Sequence, residues 1–131
     1  MKTTRTTLPR PTDGELEILR VLWERGASTV REVHETLEAR RPGGYTTVLK
    51  LLQIMTEKGL VRRDETERAH VYAARVPREE TERQLVADLL DRAFAGSASA
   101  LVMRALSSKK TSPRELARIR SLLDDLEGEK Q

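Results

Sequence analysis

Residues 45–59 read YTTVLKLLQIMTEKG, and the fold follows from this stretch. Val48, Leu51, Leu52 and Met55 recur at i, i+3, i+4 and i+7, the spacing of a helix with one buried face. Gly59 follows Lys58, where a left-handed residue commonly closes a helix. The opposite face carries Thr46, Thr47, Lys50 and Gln53, all short hydrogen-bonding groups apart from one cation. Downstream, residues 60–64 and 70–74 have strand character, and the polar segment 65–69 suits a hairpin loop between them.

Upstream, Thr12 and Glu15 have the spacing of a capping box. Leu16, Leu19 and Trp23 follow at helical spacing, with Ile18 and Leu22 widening the stripe. Gly26 is placed to end this helix in a left-handed turn. Ser28 or Thr29 then caps a second helix striped by Val30, Val33 and Leu37, which Pro42-Gly43-Gly44 interrupts. Residues 12–75 therefore read helix, helix, helix, strand, strand. This is the winged helix-turn-helix order, in which the helix before the hairpin enters the DNA major groove. Residues 1–11 lack periodicity and are expected to be a disordered tail.

Pro77 drives Val76 towards extended geometry and marks the end of that unit. Residues 76–131 are expected to be helical. Leu85, Val86, Leu89, Leu90, Ala93 and Phe94 stripe a fourth helix, and Gly96 breaks it. Leu101, Val102, Ala105 and Leu106 stripe a fifth. Ser112-Pro113-Arg114-Glu115 opens a sixth, with Ser as cap, Pro at the first helical position and Glu closing the box. The fold class is thus mainly α: a winged-helix domain with a small antiparallel β wing, plus a C-terminal helical region.

The chain has 131 residues and no cysteine, which excludes disulfide scaffolds and thiolate metal sites. There is no long apolar run and no signal-peptide pattern, so a cytoplasmic protein is expected. Charge is mixed, 24 Lys+Arg against 21 Asp+Glu. Its distribution matters more than its sum. Residues 40–75 hold 8 basic and 4 acidic groups, whereas residues 76–131 hold 10 of each. A local basic excess around the third helix and hairpin attracts phosphate.

On the third helix, Thr and Gln can bond base edges, and Lys can donate to guanine or to phosphate. Tyr45, Thr46 and Thr47 lie at its N-terminal end, which also offers free amides to phosphate. Arg62, Arg63 and Arg68 lie on or beside the hairpin, where a wing would track the backbone. Asp64, Glu65 and Glu67 are interleaved with them, so self-pairing is the competing reading. Arg31, near the start of the second helix, is a further DNA candidate. Catalytic chemistry has no support, since the two histidines, His34 and His70, fall on different elements and no nucleophile or phosphate-loop motif is present. No cofactor or metal is expected.

The string Tyr45-Thr46-Thr47-Val48-Leu49, with Leu52 and Glu57-Lys58-Gly59-Leu60-Val61, resembles the recognition helix of the penicillinase-repressor family (the BlaI/MecI/CopY type). Residues 12–19, Trp23 and residues 29–33 also look like its opening helices, and the resemblance extends over roughly residues 8–126. It implies a repressor that binds inverted-repeat operators in double-stranded DNA as a homodimer. In the family, release follows proteolysis in the dimerisation region on a signal from a membrane sensor of β-lactam, or metal binding in copper-responsive members. Arg104-Ala105 stands where some members are cut at an Asn-Phe bond, and the copper cysteines are missing.

The dimer also has a separate argument. One recognition helix reads few base pairs, so useful affinity combines two half-sites. Leu85, Leu89, Leu101, Leu116, Ile119, Leu123 and Leu126 would leave apolar patches on a single copy; packing onto their own winged-helix domain is the alternative. Two rival functions remain open at this point. One is a winged-helix protein-interaction module, the other a winged-helix regulator that senses a small ligand directly.

Overall fold

The computed structural model describes residues 9–38 and 44–129. The tail residues 1–8 and the break at Pro42-Gly43 lie outside them. The element order is α1 Asp13–Arg25, β1 Ser28–Thr29, α2 Val30–Glu38, α3 Tyr45–Lys58, β2 Val61–Asp64, β3 Val71–Ala74, α4 Arg78–Ala93, α5 Ala98–Ser108 and α6 Pro113–Glu129. The chain divides into two compact units, one ending at Leu85 and one beginning at Val86. The first is the expected winged helix, and it extends past residue 75 because Val76 and Thr81 are both buried.

Capping chemistry sets the helix starts. Thr12 Oγ1 accepts the Glu15 amide at 3.3 Å, and Glu15 Oε1 accepts the Thr12 amide at 2.9 Å. The Ser28/Thr29 ambiguity resolves to Thr29, which forms a second reciprocal box with Glu32 at 3.2 and 2.9 Å. Each box satisfies two amides that a helix start would otherwise leave unbonded. At the ends, Gly59 is left-handed as expected, with φ 84° and ψ 13°. Gly26 differs: its φ of 92° is positive, but its ψ of −171° is extended. Its amide still closes onto the Leu22 carbonyl at 2.9 Å.

The core of the first unit joins Ile18, Leu19, Val21 and Leu22 of α1 to Val30 and Val33 of α2. Val48, Leu52 and Met55 of α3, with Leu60, Val61, Tyr72 and Val76, complete it. The α1 stripe is rotated from the expected one: Leu16 and Trp23 are half-buried, and Glu15 is buried in their place. Trp23 keeps its edge polar by donating Nε1–H to the Val76 carbonyl at 3.0 Å, and its ring lies 5.8 Å from the Arg78 guanidinium carbon.

The wing is three-stranded, in the order β1-β3-β2. The sequence reading anticipates only two strands, because two residues are too short to display an alternating pattern. β1 pairs antiparallel to β3, with Ser28 opposite Tyr72 and Thr29 opposite Val71. β2 pairs to the other edge of β3, with Arg62 opposite Ala73 and Arg63 opposite Tyr72. Ser28 is fully buried, and its hydroxyl is satisfied by the Gly26 carbonyl at 2.9 Å and the Arg25 Nε–H at 3.1 Å.

The second unit has different character. Ser97 caps α5, accepting the Ala100 amide at 3.1 Å, and Ser112 and Glu115 form the expected box at the start of α6. Neither α5 nor α6 contains a buried residue.

Candidate nucleic-acid interface

α3 presents a continuous polar face. Tyr45, Thr46, Thr47, Lys50 and Gln53 are all exposed, while Val48, Leu52 and Met55 point into the core. The face exists because the apolar residues repeat at helical spacing and the polar ones fill the complementary positions. Gly44 caps α3 with extended backbone and no side-chain bond. The amides of the first turn are therefore not occupied by a capping side chain, which favours an approaching anion. Glu57, seven residues after Lys50 and also exposed, puts a negative charge at the far end of the same face. This charge pattern favours an anion at the N-terminal half over the C-terminal end.

Two residues on this helix escape the sequence reading. Ile54 is 36% exposed, and its position four residues after Lys50 puts it on the polar face. The periodicity could have shown this, since Ile54 lies outside the Val48/Leu51/Leu52/Met55 stripe. Lys58 reaches back to Glu15 of α1, Nζ to Oε1 at 2.7 Å. Burial raises the Glu15 carboxyl, but the bonds from Lys58 and the Thr12 amide outweigh it and hold the group below the usual carboxylate range. This pair ties the C-terminal end of α3 to the start of α1.

The wing's charges are arranged unequally. Arg63 is exposed on β2 but engaged: its Nε lies 2.6 Å from Glu65 Oε2. A bond to the Tyr72 hydroxyl first, and Glu65 second, push its guanidinium further up. Asp64 Oδ1 accepts both the amide and the hydroxyl of Thr66, at 2.9 and 2.8 Å, shaping the start of the loop. Those bonds, the amide first, lower its carboxyl. Arg62 is exposed on the strand face it shares with Ala73.

Arg68 belongs to a different surface. β1 holds the start of α2 against β3, so Thr29, Val30 and Arg31 line one groove with Arg68 and His70 of the wing. Tyr45 and Leu49 of α3 form its other wall, and Tyr72 also borders it. Tyr45 is braced by His34 of α2, edge to face at 5.9 Å between ring centres. The structure therefore brings Arg31, Tyr45 and Arg68 together, although the sequence separates them widely. Leu49 is half-buried and packs on the core.

In the second unit Leu89, Leu123 and Leu126 are about half exposed and Leu101, Leu116 and Ile119 less so, while Val86, Val102, Met103 and Leu122 add exposed apolar surface. Leu85, at the end of the first unit, is half-buried. Arg104 and Ala105 are exposed on α5. Among the described residues no group of His, Cys, Asp and Glu could hold a metal. No helix among them is long and apolar enough to cross a membrane.

The family model described as penicillinase repressor matches residues 11–125 of this chain. The chain is 42% identical over 87 residues to the transcriptional regulator BlaI of Mycobacterium tuberculosis; the match covers 66% of this chain and 63% of that protein. It is 21% identical to the penicillinase repressor of Bacillus licheniformis over 124 residues, 95% of this chain and 97% of the relative. These relatives are regulators, not enzymes. Among solved structures, the solution structure of the DNA-binding domain of the repressor BlaI matches with a TM-score of 0.51 at 22% identity, over 58% of this chain and 93% of that one. The monomeric form of Bacillus licheniformis BlaI in complex with the blaP half-operator matches with a TM-score of 0.50 at 23% identity, over 56% of this chain and 90% of that one. At these identities the structural likeness establishes the winged-helix fold.

Proposed function

The chain belongs to the penicillinase repressor family, and on that premise we propose that it is a transcriptional repressor that binds inverted-repeat operators as a homodimer. The observation that carries this reading is the exposed, uncapped N-terminal half of α3, with Thr46, Thr47, Lys50 and Gln53 on one face. Its groups are those that bond base edges in a major groove. Tyr45, Arg31 and Arg68 contact the backbone around it, and Arg62 and Arg63 add positive charge on the wing. Backbone contacts fix register; the α3 side chains choose sequence.

The homodimer is supported by the second unit, whose apolar side chains find no buried interior in one copy. Leu85, Leu89, Leu101, Leu116, Ile119, Leu123 and Leu126 are the interface residues in this reading. Pairing two copies covers them and sets two reading helices on two half-sites. Cutting α5 at Arg104–Ala105, on the signal of a sensor such as a β-lactam receptor, would detach α6 and weaken pairing and operator occupancy together. The protein acts in the cytoplasm in this account.

A hydroxyl-radical footprint on the DNA upstream of the protein's own gene tests the proposal. Two protected segments related by a twofold axis, with centres an integral number of turns of about 10.5 bp apart, are expected. A single protected segment, or none, would count against it.

A further inference from the structure

The wing offers DNA two unlike surfaces. One is bordered by Arg62, Arg63, Asp64 and Glu65, where cations and carboxylates alternate and Arg63 is already held by Glu65. The other is the groove between the wing base and α3. Arg31, Arg68 and His70 line it, and no Asp or Glu is among its described lining residues. We propose that this groove seats a phosphate of the DNA backbone and that His70 is a DNA-contact residue beside Arg31 and Arg68. The inference deepens the reading of the chain as a DNA-binding repressor and rests on it.

Three observations carry it. First, the groove gathers groups from three elements: Arg31 from α2, Tyr45 from α3, Arg68 and His70 from the wing. Second, among the described residues no ion pair holds Arg31 or Arg68, whereas Arg63 is paired with Glu65. Third, Leu49 and the buried Tyr72 border it, and such apolar borders screen a bound phosphate less than open water does. His70 is exposed and directly precedes β3. Strand alternation puts it on the face of Tyr72. Arg68 and His70 line the same groove, so an imidazole N–H and a guanidinium are available to one anion. Tyr45, braced by His34, offers a hydroxyl from the opposite wall. A phosphate held here lies beside the N-terminal half of α3, where the base-reading side chains are.

The test uses the full chain and a mixed-sequence duplex about three helical turns long, titrated by fluorescence anisotropy over a range of salt. Arg31→Ala and Arg68→Ala should each reduce the salt slope by about 1, and Arg63→Ala by clearly less. His70→Ala should weaken binding by about 3- to 10-fold. His70→Gln, which keeps an N–H donor, should recover most of that loss. A duplex with neutral methylphosphonates should then weaken wild type at particular backbone positions and weaken the Arg68→Ala variant less at those positions. If wild type binds but His70→Ala and Arg68→Ala match it in affinity and slope, the groove assignment is overturned and the DNA-binding reading stands. If wild type fails to bind at low salt, the DNA-binding reading fails, and this inference with it.

Discussion

Breaking the Glu15–Lys58 pair should destabilise the winged-helix unit in an order set by which partner is left behind. Glu15 is 2% exposed and Lys58 34%, and they meet at 2.7 Å. A fully buried pair broken on one side costs about 3–5 kcal/mol, an exposed one about 0.2–1 kcal/mol. With one partner buried and the other at the boundary, an intermediate value of about 2 kcal/mol follows for Lys58→Met, which strands a buried carboxylate. Glu15→Gln removes the charge but retains an oxygen for the Thr12 amide at the position now bonded at 2.9 Å. It leaves Lys58 able to reach water, so about 1 kcal/mol is expected. Glu15→Ala adds loss of the cap, about 0.5–1 kcal/mol more. Urea unfolding followed by the fluorescence of Trp23, the only tryptophan, reads this unit directly. The double-variant cycle should return a coupling of about 1–2 kcal/mol. A coupling indistinguishable from zero, or Lys58→Met no worse than Glu15→Gln, would show that the pair does not stabilise the unit through the buried carboxylate.

The pair also predicts pH dependence. The folded Glu15 carboxyl titrates below its ordinary value of 4.5, so its stabilisation is complete above that value and disappears as pH falls through the folded one. The Glu15→Gln stability profile measured by urea titration should therefore be flatter on the acid side than that of wild type. Replacing Leu123 or Leu126 by Asp, both exposed, should shift the protein towards monomer in sedimentation velocity while leaving the Trp23 transition in place. Trp23→Phe loses the Nε1–Val76 carbonyl bond of 3.0 Å and should cost about 1 kcal/mol by thermal melting.

The helices and the hairpin were legible because periodicity and capping residues report local geometry. The polar face of α3 follows from the same rule, since the positions opposite the Val48/Leu51/Leu52/Met55 stripe face outward. What the sequence concealed is long-range or very short. Glu15 and Lys58 are 43 residues apart, and nothing local connects them. β1 has two residues, so no pattern could reveal that Thr29 both caps α2 and pairs with Val71. That pairing builds the groove, which is why Arg31 reads as a weak candidate in sequence yet lies with Arg68 and His70 in space. The rotation of the α1 stripe towards Glu15 was hidden for another reason. A glutamate in a capping box ordinarily faces water, and only a cation arriving from another helix lets it be buried.

The most direct test of the central claim is an equilibrium titration of the full chain against DNA from upstream of its own gene at two salt concentrations, using wild type and the Thr47→Ala/Lys50→Ala double variant. Wild type should bind tightly, with an affinity that falls steeply as salt rises, and the variant should lose the specific complex but keep weak, salt-sensitive binding. Absence of wild-type binding at low salt, or a variant that binds the specific site as tightly as wild type, would contradict it.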